Sequence, residues 1–166
     1  MIETARLRLR PPRADDLHAL HAIMADPRAM RYWGTPPHAT LAETRDFLAA
    51  MRATPRDGGE ELVIERAGRV IGRVALWRIA EVGFFLHPDH WRQGLMRAAL
   101  GAALPHFFAR FPAVDRITAD TDPDNAAALG LLGALGFAET GRAERTVCVD
   151  GVWSGSVYLA LDRPAG

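Results

Sequence analysis

Lysine is absent from this 166-residue chain: all twenty basic side chains are arginine, and twenty carboxylates balance them to a formal net charge of zero. The absence excludes a Schiff-base lysine, a P-loop lysine and a polylysine tail. Zero net charge and scattered arginines leave no long-range field to draw the protein to nucleic acid or an anionic membrane. A single cysteine, Cys148, excludes an internal disulfide and a CxxC metal site, and no metal is expected. No stretch reaches the roughly eighteen uninterrupted apolar residues of a membrane helix. The richest, from Leu95 to Phe111, is broken by Arg97, Pro105 and His106. The first residues, Met1 to Arg6, lack the apolar core of a signal peptide. The expectation is a soluble, cytoplasmic protein, and the Ala, Gly, Pro and Arg usage fits a GC-rich bacterial coding bias.

With 49% apolar and 24% charged residues, the chain is composed like one globular domain spanning 1–166. Residues 6–10 alternate Arg and Leu as a half-buried strand does. Leu17, Leu20 and Met24 set one face of a helix over 14–25, and the Pro-rich stretch 26–39 reads as irregular. Thr40 and Glu43 have capping-box spacing and open a helix that ends near Thr54-Pro55. A turn at Arg56-Asp57-Gly58-Gly59 precedes strand runs at 61–66, 69–78 and 81–87. A third helix is predicted from about Gly94 to Arg110, burying Leu100, Leu104, Phe107 and Phe111, with Pro105 as a kink. A strand follows at 115–121, then a helix with Asp122-Pro123 as N-cap and first residue and Gly136 as its stop. Runs at 144–149 and 155–162 flank Asp150-Gly151 as a hairpin. This order implies α+β or mixed α/β with a partly antiparallel sheet.

Two segments carry chemistry. In Leu86 to Arg97 a strand leads through a short loop to Gly94, which opens a helix between Arg92 and Arg97. Unpaired amides at a helix start, a glycine that permits close approach and two guanidinium groups suit a pyrophosphate. A well-capped surface helix is the bland alternative. In Asp120 to Phe137, Asn125 sits where its amide could reach a ligand beside the neighbouring strand, or simply polarise a helix start.

Both segments, in this order, resemble the GNAT superfamily of acetyl-CoA-dependent N-acyltransferases, and more closely its RimJ/RimL branch of ribosomal-protein N-terminal acetyltransferases and their relatives. Four stretches carry the resemblance: Thr4 to Pro11 with Asp15-Asp16-Leu17; Asp26-Pro27 through Met30-Arg31-Tyr32-Trp33; Ala80-Glu81-Val82-Gly83-Phe84-Phe85-Leu86-His87-Pro88 through Trp91 to Met96; and Asn125 through Leu135-Gly136-Phe137. It implies a central, mostly antiparallel, splayed sheet flanked by about four helices, with coenzyme A in the splay. The loop Arg92, Gln93, Gly94, Leu95, Met96 and Arg97 would hold the pyrophosphate. The backbone of Phe85 and Leu86 would pair with the pantetheine arm, and Asn125 would contact the cofactor from the other side. Tyr32, Trp33 and Trp153 would line an acceptor site that is apolar or aromatic rather than an acidic trough for polyamines. A homodimer is compatible with the family.

The departures bear on mechanism. Trp91 and Met96 stand at the ends of the superfamily's loop motif, substitutions the RimJ/RimL branch tolerates. The serine and tyrosine that serve as proton donors in other members are Ala128 and Leu132 here. Glu81, on the strand that leads to the loop, is the candidate base, acting through a water. A solvated edge carboxylate or an arginine partner is the alternative. An α-amine with pKa ~7.7–8.0 costs about 1.4 kcal/mol to neutralise near pH 7, a lysine amine about 4.6 kcal/mol. Sparse acid–base machinery therefore favours an α-amine on a peptide or small molecule. A silent acyl-CoA-binding module and an antibiotic or amino-acid acetyltransferase are the competing readings. Tyr32 and Tyr158 could donate a proton. The pairs His18/His21 and His87/His90 lack a third metal ligand, and Cys148 reads as core.

Overall fold

The computed structural model describes residues 1–55, 57–78 and 80–165, so Arg56 of the expected turn and Ile79 of the short connection after Arg78 lie outside the described residues. One eight-stranded sheet organises the chain, in the order β1-β2-β3-β4-β5-β6-β8-β7. Its strands are β1 Ile2–Glu3, β2 Arg8–Arg10, β3 Glu60–Arg66, β4 Arg69–Trp77, β5 Glu81–Leu86, β6 Arg116–Thr121, β7 Ala138–Val149 and β8 Val152–Asp162. The helices are α1 Leu17–Met24, α2 Pro27–Met30, α3 Leu41–Ala53, α4 Leu95–Arg110 and α5 Ala126–Ala134. Every neighbouring pair is antiparallel except β5 and β6, which run parallel and share one paired position, Glu81 with Thr118. The α+β architecture with a splayed, mostly antiparallel sheet is therefore as expected.

The helices cover both faces. Leu100, Leu104, Phe107 and Phe111 seat α4 over a core that includes Leu76, Val82, Leu86, Ile117 and Leu159. On the opposite face Leu20, Ile23, Met24 and Met30 join Leu48, Met51, Val63 and Phe85. Strand alternation explains the division: Val82 and Leu86 point to one face, Glu81, Gly83 and Phe85 to the other. Pro105 lies on the exposed side of α4, so the carbonyl it leaves unpaired, that of Gly101, faces water. Thr40 and Glu43 form the predicted capping box, and Asp150-Gly151, both at positive φ, make the hairpin turn. Among the described residues no helix is long and apolar enough to cross a membrane.

Four local expectations change. The stretch 26–39 contains the one-turn α2, because Asp26 accepts the Arg28 amide and Pro27 presets the first φ. Asp122 does not cap α5. Its Oδ1 takes the Asp124 amide in a local turn, and the helix begins after Asn125, whose side chain accepts the Ala128 amide. The first alternating run is strand only over Arg8–Arg10, and Arg10 is buried rather than exposed. Its guanidinium bonds both oxygens of Asp16 and donates Nε to Glu65 at 2.7 Å. Cys148, expected in the core, is exposed near the hairpin tip.

Candidate active site

β5 and β6 meet at Glu81 and Thr118, reinforced by a 2.8 Å bond from the Thr118 amide to the Ala80 carbonyl, and among the described residues they do not pair with each other beyond that point. The gap opens toward two helix starts: α4 follows β5, and α5 follows β6. It is thus bounded by two unpaired strand edges and by the positive ends of two helix dipoles.

The two helix starts differ. At α5 the Asn125 Oδ1 is committed to the Ala128 amide at 3.1 Å, which leaves its NH2 group to donate elsewhere. At α4 no side chain caps the helix, and Gly94 is left-handed with φ +68°. Arg92 is also left-handed, with φ +58°. The amides of Leu95, Met96 and Arg97 precede the first helical bond, from Ala98 to Gly94, so they lack partners within the helix. The Leu95 side chain is core, Met96 packs on the core edge, and Arg92 and Arg97 are exposed. Gln93 is consumed locally: its Nε2 donates to the Asp89 carbonyl, and its Oε1 accepts from Arg66 at 2.8 Å. Arg6 donates to the Gln93 and Gly94 carbonyls. Arg6 and Arg66, which sequence reasoning missed, thereby bring two further guanidinium groups to the loop. The signal for Arg6 lay in the Thr4–Pro11 stretch; nothing local marks Arg66.

Along β5 the backbone alternation corrects one expectation. The Phe85 carbonyl faces β4, so close to Gly72 that a side chain there would collide with it. His87, two residues on, donates its amide to Ile71. Phe85 therefore directs its backbone into the β4 ladder, and the gap-facing backbone belongs to Phe84 and Leu86. The Leu86 carbonyl already accepts the Trp91 indole N–H at 2.9 Å, which fixes the loop after β5.

Glu81 stands at the vertex of the splay. Among the described residues its carboxylate has no hydrogen-bond or ion-pair partner. Burial pushes its carboxyl above the usual carboxylate range, the Asp120 charge adds to this, and Arg78 opposes it. Among the described residues Arg78 is the one cation that acts on this half-buried group, without an ion pair to it. Ala128 and Leu132 are buried and apolar, so no proton donor replaces the family residues at those positions.

The expected acceptor residues fall in two places that no described contact joins. Trp33 packs edge-on against Phe85 with ring centroids 5.3 Å apart, and Tyr32 beside it stacks under Arg31. Trp153 is exposed on β8 under Arg145, in a concavity shared with Pro123, Arg142 and Ser156. A third feature was not anticipated: Arg73 and Glu61 form a buried bidentate pair at 2.6 Å beneath Trp33, Phe47 and Phe85. Among the described residues no three His, Cys, Asp or Glu side chains cluster to hold a metal. His21 instead bonds Thr44, and the His87 and His90 rings meet edge-on.

The family description "Acetyltransferase (GNAT) domain" matches residues 6–138. A curated relative, N-acetyltransferase p20 of Bacillus licheniformis, is 25% identical over 147 residues, covering 83% of this chain and 82% of its own. A spermidine N-acetyltransferase of Vibrio cholerae, solved with CoA and spermine, superposes with a TM-score of 0.83 at 22% identity, over 96% of both chains. An acetyltransferase of Salmonella typhimurium that modifies the N-terminal serine of ribosomal protein L7/L12 gives 0.85 at 19% identity, over 97% of both. With the family match spanning well over half of the residues, the splayed sheet and the uncapped glycine helix start, the chain belongs to the GNAT family of acetyltransferases.

Proposed function

We propose that this acetyltransferase moves the acetyl group of acetyl-CoA to an α-amine, on a peptide N-terminus or a small amino compound, by direct attack in a ternary complex in the cytoplasm. The reading aligns it with the RimJ/RimL branch rather than with polyamine acetyltransferases. The observation that carries it is the half-buried, unpaired Glu81 at the vertex of the splay, where β5 and β6 part. Acetyl-CoA, when bound, supplies an acyl carbon activated as a thioester. The amides of Leu95, Met96 and Arg97, with Gly94 giving access and Arg92 and Arg97 adding charge, would hold its pyrophosphate. Phe84 and Leu86 would offer backbone groups to the pantetheine arm, and the Asn125 amide would close the opposite edge.

Glu81 would take a proton from the incoming ammonium through a water. Its raised carboxyl pKa narrows the gap to any amine equally, but the gap that remains is smaller for an α-amine than for a lysine amine, so proton removal is less uphill there. With no side-chain acid at Ala128 or Leu132, the departing thiolate, of pKa about 8.5 by analogy with cysteine, is protonated by solvent. A free-thiol release assay across peptides, amino-acid amides and polyamines, with calorimetric coenzyme A binding, tests the reading. Turnover is expected on α-amines. Coenzyme A binding without turnover on any amine, or preference for spermidine over every α-amine, would overturn it.

A further inference from the structure

The acceptor face of β5 carries an arrangement that the acetyl-transfer chemistry leaves unused. Gly83 lies between Glu81 and Phe85, on the same face as both. A Cβ built on it would sit 3.6 Å from Trp77 Nε1 and 3.7 Å from Arg73 Nη1. Both nitrogens are donors, and neither has a hydrogen-bond partner among the described residues. They approach the same small space from β4, and glycine leaves that space open. The φ of Gly83 is not positive, so nothing in the backbone requires glycine here.

Arg73 is held in place rather than reaching out by chance. Its Nε and Nη2 are fixed to the two Glu61 oxygens, and three aromatic rings surround its Cζ at 5.5–6.0 Å. Its side chain is only 7% exposed. A preoriented N–H in such apolar surroundings donates more strongly than one in water. The charge of Arg73 is already balanced by Glu61, and the next same-face residue is the acidic Glu81. Arg78, stacked on the Trp77 ring at 4.2 Å from its centroid, is the nearby cation, and it already opposes the Glu81 charge, so an anionic carboxylate would have to compete with Glu81 for it. A polyamine brings only donors to a place that offers donors. A neutral carbonyl oxygen satisfies both N–H groups.

We propose that Arg73 Nη1 and Trp77 Nε1 form a carbonyl subsite over Gly83 that binds the amide oxygen next to the reacting α-amine. The proposal rests on the α-amine reading of Glu81 and adds the group that selects it. The subsite makes the acceptor an amino-acid amide or peptide, whose carbonyl lies one bond from the carbon bearing the amine. Replacing Arg73 would strand Glu61 as a buried unpaired charge, so the informative changes are elsewhere. Trp77→Phe removes one donor, and Gly83→Ala fills the space without a clash or a strained φ.

The test titrates the coenzyme A complex, followed by NMR, with three ligands on one carbon skeleton: L-alaninamide, L-alanine and isopropylamine. Wild type is expected to bind alaninamide at least tenfold more tightly than the other two. In Trp77→Phe and Gly83→Ala that preference falls about tenfold, the scale of one lost buried hydrogen bond. Thermal stability and coenzyme A affinity report whether the fold is intact. The same preference read as kcat/KM should fall through KM. Equal binding of alaninamide and isopropylamine, a preference for alanine, or variants that keep the wild-type preference would overturn the subsite. So would an equal loss of kcat on every amine, which would mark the donors as stabilising the reacting thioester instead. Glu81→Gln separates the two ideas: it should lower turnover by ~10²–10⁴-fold while alaninamide still binds, so failure of the base assignment leaves the binding result readable.

Discussion

Glu81 concentrates the residue-scale questions because its environment works against its charge. Burial and the Asp120 charge hold its carboxyl above the ordinary range. The base form is therefore lost as pH falls through a value higher than that of a free glutamate. The acid limb of kcat/KM should lie above the usual carboxylate range, and Asp120→Asn should move it to lower pH by removing one of the two upward influences. Glu81→Gln should lower kcat/KM by ~10²–10⁴-fold and erase that limb. Full activity of this variant across pH 6–9 would remove Glu81 from the mechanism. Because protonation of Glu81 favours the fold, its stability contribution declines as pH rises through its unfolded and then its folded pKa, so the glutamine variant should be slightly more stable at neutral pH. Asp16 behaves in the opposite sense. Burial pushes its carboxyl up, but bonds from Arg10 and the Arg13 amide prevail and hold it below the usual range. Its stabilisation is complete above ~3.9, the unfolded aspartate value, and lost as pH falls through the lower folded value. Asp16→Asn should cost about 3 kcal/mol in urea unfolding at pH 7 and flatten the acid limb of the stability profile. An unchanged midpoint would show that Glu65 alone satisfies Arg10.

At the scale of elements, the two helix starts that flank the gap use opposite devices, and substitutions can separate shape from binding. Gly94→Ala places a left-handed conformation on a residue with Cβ, at a cost of about 1–2 kcal/mol, although the added atom would meet only Arg6 at 3.6 Å. Relief of that strain turns the Leu95–Arg97 amides away, so the coenzyme A Kd should rise on the order of tenfold. Gly94→Asn, better tolerated at positive φ, should lose less on both counts. Asn125→Ala should cost about 1 kcal/mol through the lost cap, whereas Asn125→Ser keeps a capping oxygen and loses the NH2 donor without adding charge. A weaker coenzyme A affinity in Asn125→Ser at unchanged thermal stability would assign the amide to the ligand. What the sequence made legible follows from range. The Thr40–Glu43 cap, the buried face of α4 and the Asp150-Gly151 turn are short-range and periodic, and were readable. The start of α5 was misjudged because Asp122-Pro123 and Asn125 both offer capping groups, and only the local turn at Asp124 decides between them. Arg66 on Gln93, and the Arg73–Glu61 pair under three rings, depend on strand register across the sheet, which no local pattern encodes. The backbone direction of Phe85 was likewise invisible until its pairing with β4 fixed the alternation.

The molecule as a whole is a sheet interrupted in its hydrogen bonding but not in its core. Strands β1–β5 form one ladder and β6, β8 and β7 another, joined at Glu81 and Thr118. Under α4 and α5 the two halves share packing, with Val82 and Leu86 from one side and Ile117, Ala119, Val157 and Leu159 from the other. That apolar layer keeps the halves together while the backbone edges above it stay unpaired. A ligand that bonds both edges would therefore stabilise the native state beyond its local contacts. Coenzyme A at about 100 times its Kd should add about 2.7 kcal/mol, which raises Tm by roughly 5–10 °C for a chain of this size. Hydrogen exchange should slow at the amides of Phe84, Leu86 and Asp120, which face the gap, and at those of Leu95, Met96 and Arg97 at the α4 start. The loop's guanidinium groups are solvent-exposed, so the shift in Tm should shrink in 1 M salt, where screening acts within ~3 Å. Protection confined to the β7–β8 concavity around Trp153 would place the cofactor outside the splay. A Tm shift insensitive to salt would instead mean that the uncharged amides, rather than Arg92 and Arg97, provide most of the affinity.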